Sequence, residues 1–188
     1  MLLREFINFL LNTDFAHDSE LPFTIKQRRF AKGEVITDYG QVEQYAYFMN
    51  EGVVQHTIRH GEEERIIDFF MTNDVVSSYT SFLLQKPSDV QIVALTDCRV
   101  EIIDHTEMMA AYKTSLVANQ LGRIIAEGAY LTKVKREKDF LTKTAEERYS
   151  QLLREKPELI LQIPINKIAK YLGIYPESLS RIRKKLIS

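Results

Sequence analysis

The residues with the clearest chemical potential lie near the carboxyl terminus, in Ile165-Asn-Lys-Ile-Ala-Lys-Tyr-Leu-Gly-Ile-Tyr-Pro-Glu-Ser-Leu-Ser-Arg-Ile-Arg-Lys-Lys-Leu186. Apolar residues fall at Ile165, Ile168, Ala169 and Leu172, then at Leu179, Ile182 and Leu186, a spacing that predicts two short amphipathic helices. Gly173 supplies the turn, Ile174 plugs the angle, and Pro176 suits a first helical position, where its missing amide would be unpaired anyway. The small Ala169 lets the second helix cross closely over the first. This is the pattern of a helix-turn-helix, whose second helix enters the DNA major groove. With Leu179, Ile182 and Leu186 buried, the opposite face carries Glu177, Ser178, Ser180, Arg181, Lys184 and Lys185. Arg can donate two hydrogen bonds to guanine, Glu can accept from a cytosine amine, and Ser can serve phosphate or base. Two helices that merely close a core would explain the apolar positions but not four cations in the last eight residues.

Other chemistries find less support. His17, His56, His60 and His105 are scattered, and although His56 and His60 can share a strand face, no carboxylate or Cys accompanies them at metal-ligand spacing. No metal site and no cofactor is expected. Cys98 is the single cysteine, so no intrachain disulfide can form. There is no Gly-rich phosphate loop, nucleophile elbow or zinc-protease motif. Glu62-Glu63-Glu64 beside Gly61 reads as a solvated hairpin tip. Without an acid/base pair, an enzyme is not expected.

The elements that must position the terminal helices follow from the rest of the chain. At 188 residues, with 45% hydrophobic and 27% charged residues, the chain can bury a core without disulfides. No apolar run approaches the roughly 20 residues that span a bilayer, the start lacks the look of a secretion signal, and a cytoplasmic location is expected. The net charge of -1 hides a polarised chain. Residues 1–110 carry 9 Lys/Arg against 18 Asp/Glu, and residues 111–188 carry 16 against 8. The basic end suits a polyanion.

After an amphipathic opening marked by Phe6, Phe9 and Leu10, the stretch from Phe23 to Ile103 reads as many short strands. Turn residues punctuate it about every ten positions, at Lys32-Gly33, Tyr39-Gly40, Glu51-Gly52, His60-Gly61, Thr72-Asn73-Asp74, Lys86-Pro87-Ser88 and Thr96-Asp97. Such punctuation predicts an antiparallel sandwich or barrel. From Glu107 to Phe140 no proline occurs and helix formers dominate, so one long helix is predicted. Along it Val117, Leu121, Ile124, Gly128 and Leu131 alternate steps of four and three, an apolar stripe that packs either on its own β domain or on a second copy. Gly128 in mid-stripe makes sense where two helices approach closely. Thr144 with Glu147 forms a capping-box pattern for a further helix, which Pro157 ends, and Ile160 to Ile163 reads as an apolar connector.

The order of β domain, long helix and helix-turn-helix resembles the cyclic-AMP receptor protein and FNR (Crp/Fnr) family of bacterial transcription regulators over nearly the entire chain. The motif that carries the likeness is Ile168-Ala-Lys-Tyr-Leu-Gly-Ile-Tyr-Pro-Glu-Ser-Leu-Ser-Arg-Ile182. The resemblance implies an α+β fold: an N-terminal cyclic-nucleotide-binding-like antiparallel β-sandwich (jelly roll) over 1–106, a long dimerisation helix and hinge over 107–140, and a C-terminal helix-turn-helix over 141–188. The β-hairpin wing with which family members usually continue is expected to be absent or truncated. Glu177 and Arg181 match positions at which family members read bases, whereas Pro176 replaces a frequent Arg, so the preferred DNA site is expected to differ.

In the β domain, residues 73–89 occupy the place of the family's phosphate-binding cassette. A cyclic-nucleotide binder presents Gly-Glu before the short helix and Arg-Ser/Thr after it. This chain offers Ser77-Ser78 and Pro87-Ser88-Asp89. Without the arginine, and with Asp89 adding like charge, a buried phosphodiester is disfavoured. By the same resemblance Ser78, Tyr79, Ser81, Phe82 and Ser88, with Asp89 beside them, form an effector pocket for an unknown small molecule, and Thr132 sits where family members contact ligand from the dimer helix. A filled sandwich interior needs the same residue types. The FNR branch's iron–sulfur cluster needs four thiolates, which Cys98 alone cannot supply.

The leading reading is a homodimeric, sequence-specific regulator that binds double-stranded DNA, does not respond to cyclic AMP, and has RNA polymerase as a further partner. A ligand-sensing or protein-interaction module whose helical tail docks a protein is the rival. The two differ in salt dependence, since phosphate neutralisation weakens steeply with salt.

Overall fold

The computed structural model describes residues 1–187, the last by its backbone only; Ser188, the end of the segment expected to form the DNA-binding domain, lies outside the described residues. The chain opens with helix α1 (Leu3–Leu11), followed by strands β1 (Lys26–Phe30), β2 (Val35–Thr37), β3 (Tyr45–Glu51), β4 (Val54–His60), β5 (Glu63–Phe70) and β6 (Val75–Val76). Helix α2 (Tyr79–Leu84) interrupts, and β7 (Val90–Ala94) and β8 (Cys98–Asp104) complete the strands. Helices α3 (His105–Thr114), α4 (Leu116–Thr142), α5 (Ala145–Glu155), α6 (Pro157–Gln162), α7 (Ile165–Leu172) and α8 (Pro176–Ile187) follow.

The strands form two antiparallel four-stranded sheets, ordered β1-β8-β3-β6 and β2-β7-β4-β5. They pack face to face around Phe30, Tyr47, Met49, Val54, Val76, Ile92, Val100 and Ile102. The expected turn positions do separate the strands. Gly52 shows why one of them must be glycine: its φ is +96°, and a Cβ there would fall 2.5 Å from the Asp97 carbonyl oxygen.

The outer face of the second sheet is buried as well. Val53, Ile66 and Phe69 join Tyr149, Leu152, Leu159, Ile163, Ile168, Ala169, Leu172 and Leu179 in one core. In consequence Val54, Gln55, His56 and Thr57 are all buried, with no exposed alternate positions. Gln55 Oε1 accepts from Lys167 Nζ of α7 at 2.8 Å. At about 1.5–3 kcal/mol per fully buried large apolar side chain, Val53, Ile66 and Phe69 alone make release of the terminal helices cost several kcal/mol.

Three expectations need correction. The run from 107 to 140 is two helices, because Ser115 leaves helical geometry (φ -122°, ψ 122°) and its side chain caps α4 by accepting from the Ala118 amide. Close packing of α3 on α4 then requires Gly122, where a Cβ would overlap the Tyr112 ring. The 160–163 connector is mostly helix α6, entered through Pro157. In α1 the buried face is Leu3 and Ile7, with Phe6 and Leu10 at its margin, whereas Phe9 points to solvent. The Thr144–Glu147 capping box is present: Thr144 N donates to Glu147 Oε2 at 2.8 Å and Glu147 N to Thr144 Oγ1 at 3.2 Å.

Among the histidines, His56 is buried against the Phe70 ring with centroids 4.6 Å apart, and its Nε2 has no partner among the described residues. Burial pushes its pKa down to about 4 from 6.5. The folded value lies below the unfolded one, so the stability held by neutral His56 is complete above pH 6.5 and is lost as pH falls through 4. A depression of this size corresponds to about 3 kcal/mol. Urea unfolding at pH 7 and pH 4.5 should show a smaller acid loss in His56→Leu than in the parent; equal losses would contradict the assignment.

Candidate nucleic-acid interface and effector pocket

Helix α7 ends at Gly173, whose φ of +70° gives the left-handed turn that a Cβ disfavours. Gly173 N and Ile174 N donate to the Lys170 and Ala169 carbonyls at 3.1 and 3.0 Å. The last two carbonyls of α7 are capped from outside: Arg136 Nη2 of α4 reaches Tyr171 O at 3.2 Å, and Arg148 Nη2 of α5 reaches Leu172 O at 3.0 Å. Such guanidinium caps also suit the negative end of the helix dipole. Pro176 opens α8 as expected, and Leu179 is fully buried against Ile168, Ala169 and Leu172.

The anchored Leu179 turns Glu177, Ser180, Arg181 and Lys184 to solvent, with Ser178 half-buried. Arg181 Nη2 lies 3.4 Å from Ser178 Oγ. Lys185, also on the exposed face, bonds Glu146 of α5 through its Nζ at 2.8 Å and so ties α8 to α5. Leu186, expected to be buried, is 44% exposed, and Ile182 is half-buried. The core therefore reaches only the first half of α8.

The stripe proposed for pairing divides in two. Leu121 is fully buried in the core formed by α1, α3 and α4, with Val117 packed against it. In this fold Leu121 cannot meet a second copy. Ile124 is half-buried, and Gly128 and Leu131 are exposed. Exposed Leu116, Tyr130 and Leu141 lie on the same side of α4 as Leu131, within an arc of about 120° at 100° per residue. The sequence stripe missed these because it followed the apolar residues nearest the core.

In the cassette, Ser78, Ser81, Phe82 and Ser88 are buried together. Ser78 Oγ and Ser88 Oγ are 2.6 Å apart, and Ser88 Oγ also donates to Val90 O. Ser81 Oγ accepts from Glu43 N at 3.0 Å. The centre of this network is Glu43, a residue absent from the sequence-based set and 2% exposed. Its carboxylate accepts from Thr37 Oγ1 at 2.5 Å, Tyr47 OH at 3.1 Å, and the amides of Gln44 and Tyr45 at 3.0 and 3.1 Å. Burial, with the Glu43 carboxylate next, pushes the Tyr47 phenol well above its ordinary pKa. Asp89 stays at the exposed rim, and Tyr79 is 42% exposed. Thr132 does not join the cassette; it lines a separate cavity of about 110 Å³ between α4, α5, α7 and β5. Among the described residues, no group of three or more His, Cys, Asp or Glu is placed to hold a metal ion, and no helix is long and apolar enough to cross a membrane.

Residues 27–115 match the family model of the Cyclic nucleotide-binding domain. The whole architecture matches FixK2 from Bradyrhizobium japonicum with a TM-score of 0.75 at 19% identity, covering 87% of this chain and 84% of that one. The chain has the Crp/Fnr fold. A putative transcriptional regulator of the Crp/Fnr family from Eubacterium rectale matches with a TM-score of 0.73 at 16% identity, over 96% of this chain and 87% of its own. A CooA variant from Carboxydothermus hydrogenoformans matches with a TM-score of 0.69 at 15% identity, over 93% of this chain and 81% of its own. A search of curated protein sequences gave no significant match. Within this Crp/Fnr fold, Glu43 fills the cassette with a protein carboxylate. Replacing it by Ala leaves at least four donors without an acceptor and should lower stability by about 2 kcal/mol or more, measured by urea denaturation; a smaller loss would mean that the network is incidental.

Proposed function

We propose that the chain is a homodimeric, sequence-specific DNA-binding transcription regulator that does not respond to cyclic AMP. The observation that carries this reading is the face of α8: Glu177, Ser180, Arg181 and Lys184 turned outward on a helix anchored by Leu179. Its leading residues are suited to base edges and its later cations to phosphates. The Crp/Fnr fold and the regulator from Eubacterium rectale support the same function.

The dimer contact in this reading is the outer side of α4, through Ile124, Gly128 and Leu131 with Leu116, Tyr130 and Leu141. Large apolar side chains grouped on a solvent-facing helix mark an interaction surface. Gly128 fits it, because a Cβ there would meet nothing within 4 Å among the described residues, so its smallness serves close approach of another helix. Two recognition helices would then sit roughly 34–36 Å apart on a pseudo-palindromic site. The domain division at about 106 and 140 is functional in this scheme, with the hinge where α4 ends at Thr142. RNA polymerase is the further partner in this reading. The chemistry of the cassette disfavours cyclic AMP: residues 73–89 contain no Arg, and the buried hydroxyls already bond each other.

Arg181→Ala should lose about 1–3 kcal/mol of specific binding and relax preference at one base pair, whereas Lys184→Ala should weaken all sequences alike and flatten the salt slope. Competition binding checks both, and unchanged selectivity in the Arg181 variant would refute the readout. Leu131→Glu should convert the dimer to monomer in analytical ultracentrifugation and abolish tight duplex binding. A dimer that survives it removes α4 as the interface. Calorimetry with micromolar cyclic AMP should show no binding heat; a saturable signal would overturn the account of the cassette.

A further inference from the structure

The cavity of about 110 Å³ at the junction of α4, α5, α7 and β5 is lined by more cations than carboxylates. Arg136, Arg148, Lys156 and Asp68 line it together with the Phe140 and Tyr171 rings. The other ionised side chains at its wall are already matched: Lys135 pairs with Glu155 at 2.7 Å, and Asp139 pairs with Lys143 at 2.7 Å. Neither arginine has a carboxylate within 4.0 Å among the described residues. Arg136 Nη2 donates to Ile66 O at 3.4 Å and Tyr171 O at 3.2 Å. Arg148 donates to Lys143 O at 2.6 Å and Leu172 O at 3.0 Å, and Lys156 Nζ donates to Phe69 O at 3.4 Å. The partners in these bonds are neutral carbonyls, and the Tyr171 hydroxyl meets both Arg136 and Asp68. At the wall these three cations face Asp68, and Lys156 also acts on the half-buried Asp74 carboxyl behind it.

The donors are not exhausted either. Arg136 Nη1 and Arg148 Nε are buried without a hydrogen-bond partner among the described residues. Both guanidinium groups stack on Phe140, at 5.4 and 4.5 Å from its centroid, and Arg136 also lies 4.1 Å from that of Tyr171, which holds them in place. All three cations are half-buried; charge withdrawn from water ordinarily carries an anionic partner, and a planar guanidinium fork matches a tetrahedral oxyanion. The cavity is well below the roughly 300–1,000 Å³ of pockets for drug-sized ligands. It has room for one small anion.

We propose that this junction is an oxyanion site for free phosphate or the phosphoryl group of a small ester, held by Arg136, Arg148 and Lys156. The same two arginines cap α7, so an anion on them would alter how firmly the helix-turn-helix is held to α4 and β5; this regulatory consequence rests on the DNA-binding reading, whereas the binding itself does not.

The test is isothermal titration of the full chain, without DNA, with inorganic phosphate and in parallel with glycerol 3-phosphate, against sodium chloride at matched ionic strength. Saturable binding of about one phosphate per chain is expected, at least tenfold weaker in Arg148→Gln and Arg136→Lys and severalfold weaker in Lys156→Gln. Asp68→Asn should bind more tightly, a gain that a purely structural role for the arginines would not produce. Binding of the ester as tight as that of phosphate assigns the site to a phosphoryl group, and preference for phosphate assigns it to the free ion. No difference between phosphate and chloride, or equal affinity in Lys156→Gln and Asp68→Asn, which keep both arginines, overturns the proposal. A chain that binds phosphate and shows no duplex preference would refute the regulator and leave the site standing.

Discussion

The arrangement depends on one constraint: the second sheet carries apolar side chains on both faces, and its outer face must be covered. Val53, Ile66 and Phe69 find that cover in Ile168, Leu172 and their neighbours. The hydrophobic term is proportional to the area withdrawn from water and has no direction of its own, so polar contacts must fix the register. Lys167 to Gln55 and Lys156 to the Phe69 carbonyl do so from the helical side, and Arg136 does so from α4. The helix-turn-helix is thus part of the same packed body as the sandwich, and any change in the β domain reaches it through a shared core.

Arg136 is the residue at which the parts meet. One nitrogen touches a strand carbonyl and the end of α7, while its backbone belongs to the long helix proposed to pair two copies. A displacement of α4 has to move α7, stretch these bonds, or break them. Packed interfaces tend to change between discrete arrangements and not continuously. Lys185 to Glu146 adds a second tie, between α8 and the start of α5. The orientation of α8 is therefore set by helices that precede it, a suitable design for control of groove spacing from a distance.

Local signals were legible in the sequence and tertiary ones were not. The turn at Gly173, the start at Pro176 and the Thr144–Glu147 box depend on neighbours a few residues away, and the structure places them as their chemistry requires. The two-sheet sandwich follows from regular punctuation. Glu43 was invisible because its donors come from positions 37, 44, 45 and 47 and from tertiary approach of the cassette at Ser78. The break at Ser115 hides in a proline-free run of good helix formers. Leu121 and Leu186 show the limit of periodicity: it orders residues around a helix but does not say which neighbour covers each turn, or how far along the axis the cover extends. The buried run Val54 to Thr57 makes the same point for a strand covered on both faces.

The central claim is that two copies of α8 present base-reading side chains at a separation set by α4. Selection of bound duplexes from a random pool tests it most directly, because it interrogates symmetry and base reading together. The account predicts enrichment of a pseudo-palindrome whose half-site centres lie about 10 base pairs, or a multiple of a helical turn, apart. Recovery of unenriched sequences, or of a single asymmetric half-site bound by one chain, would contradict it.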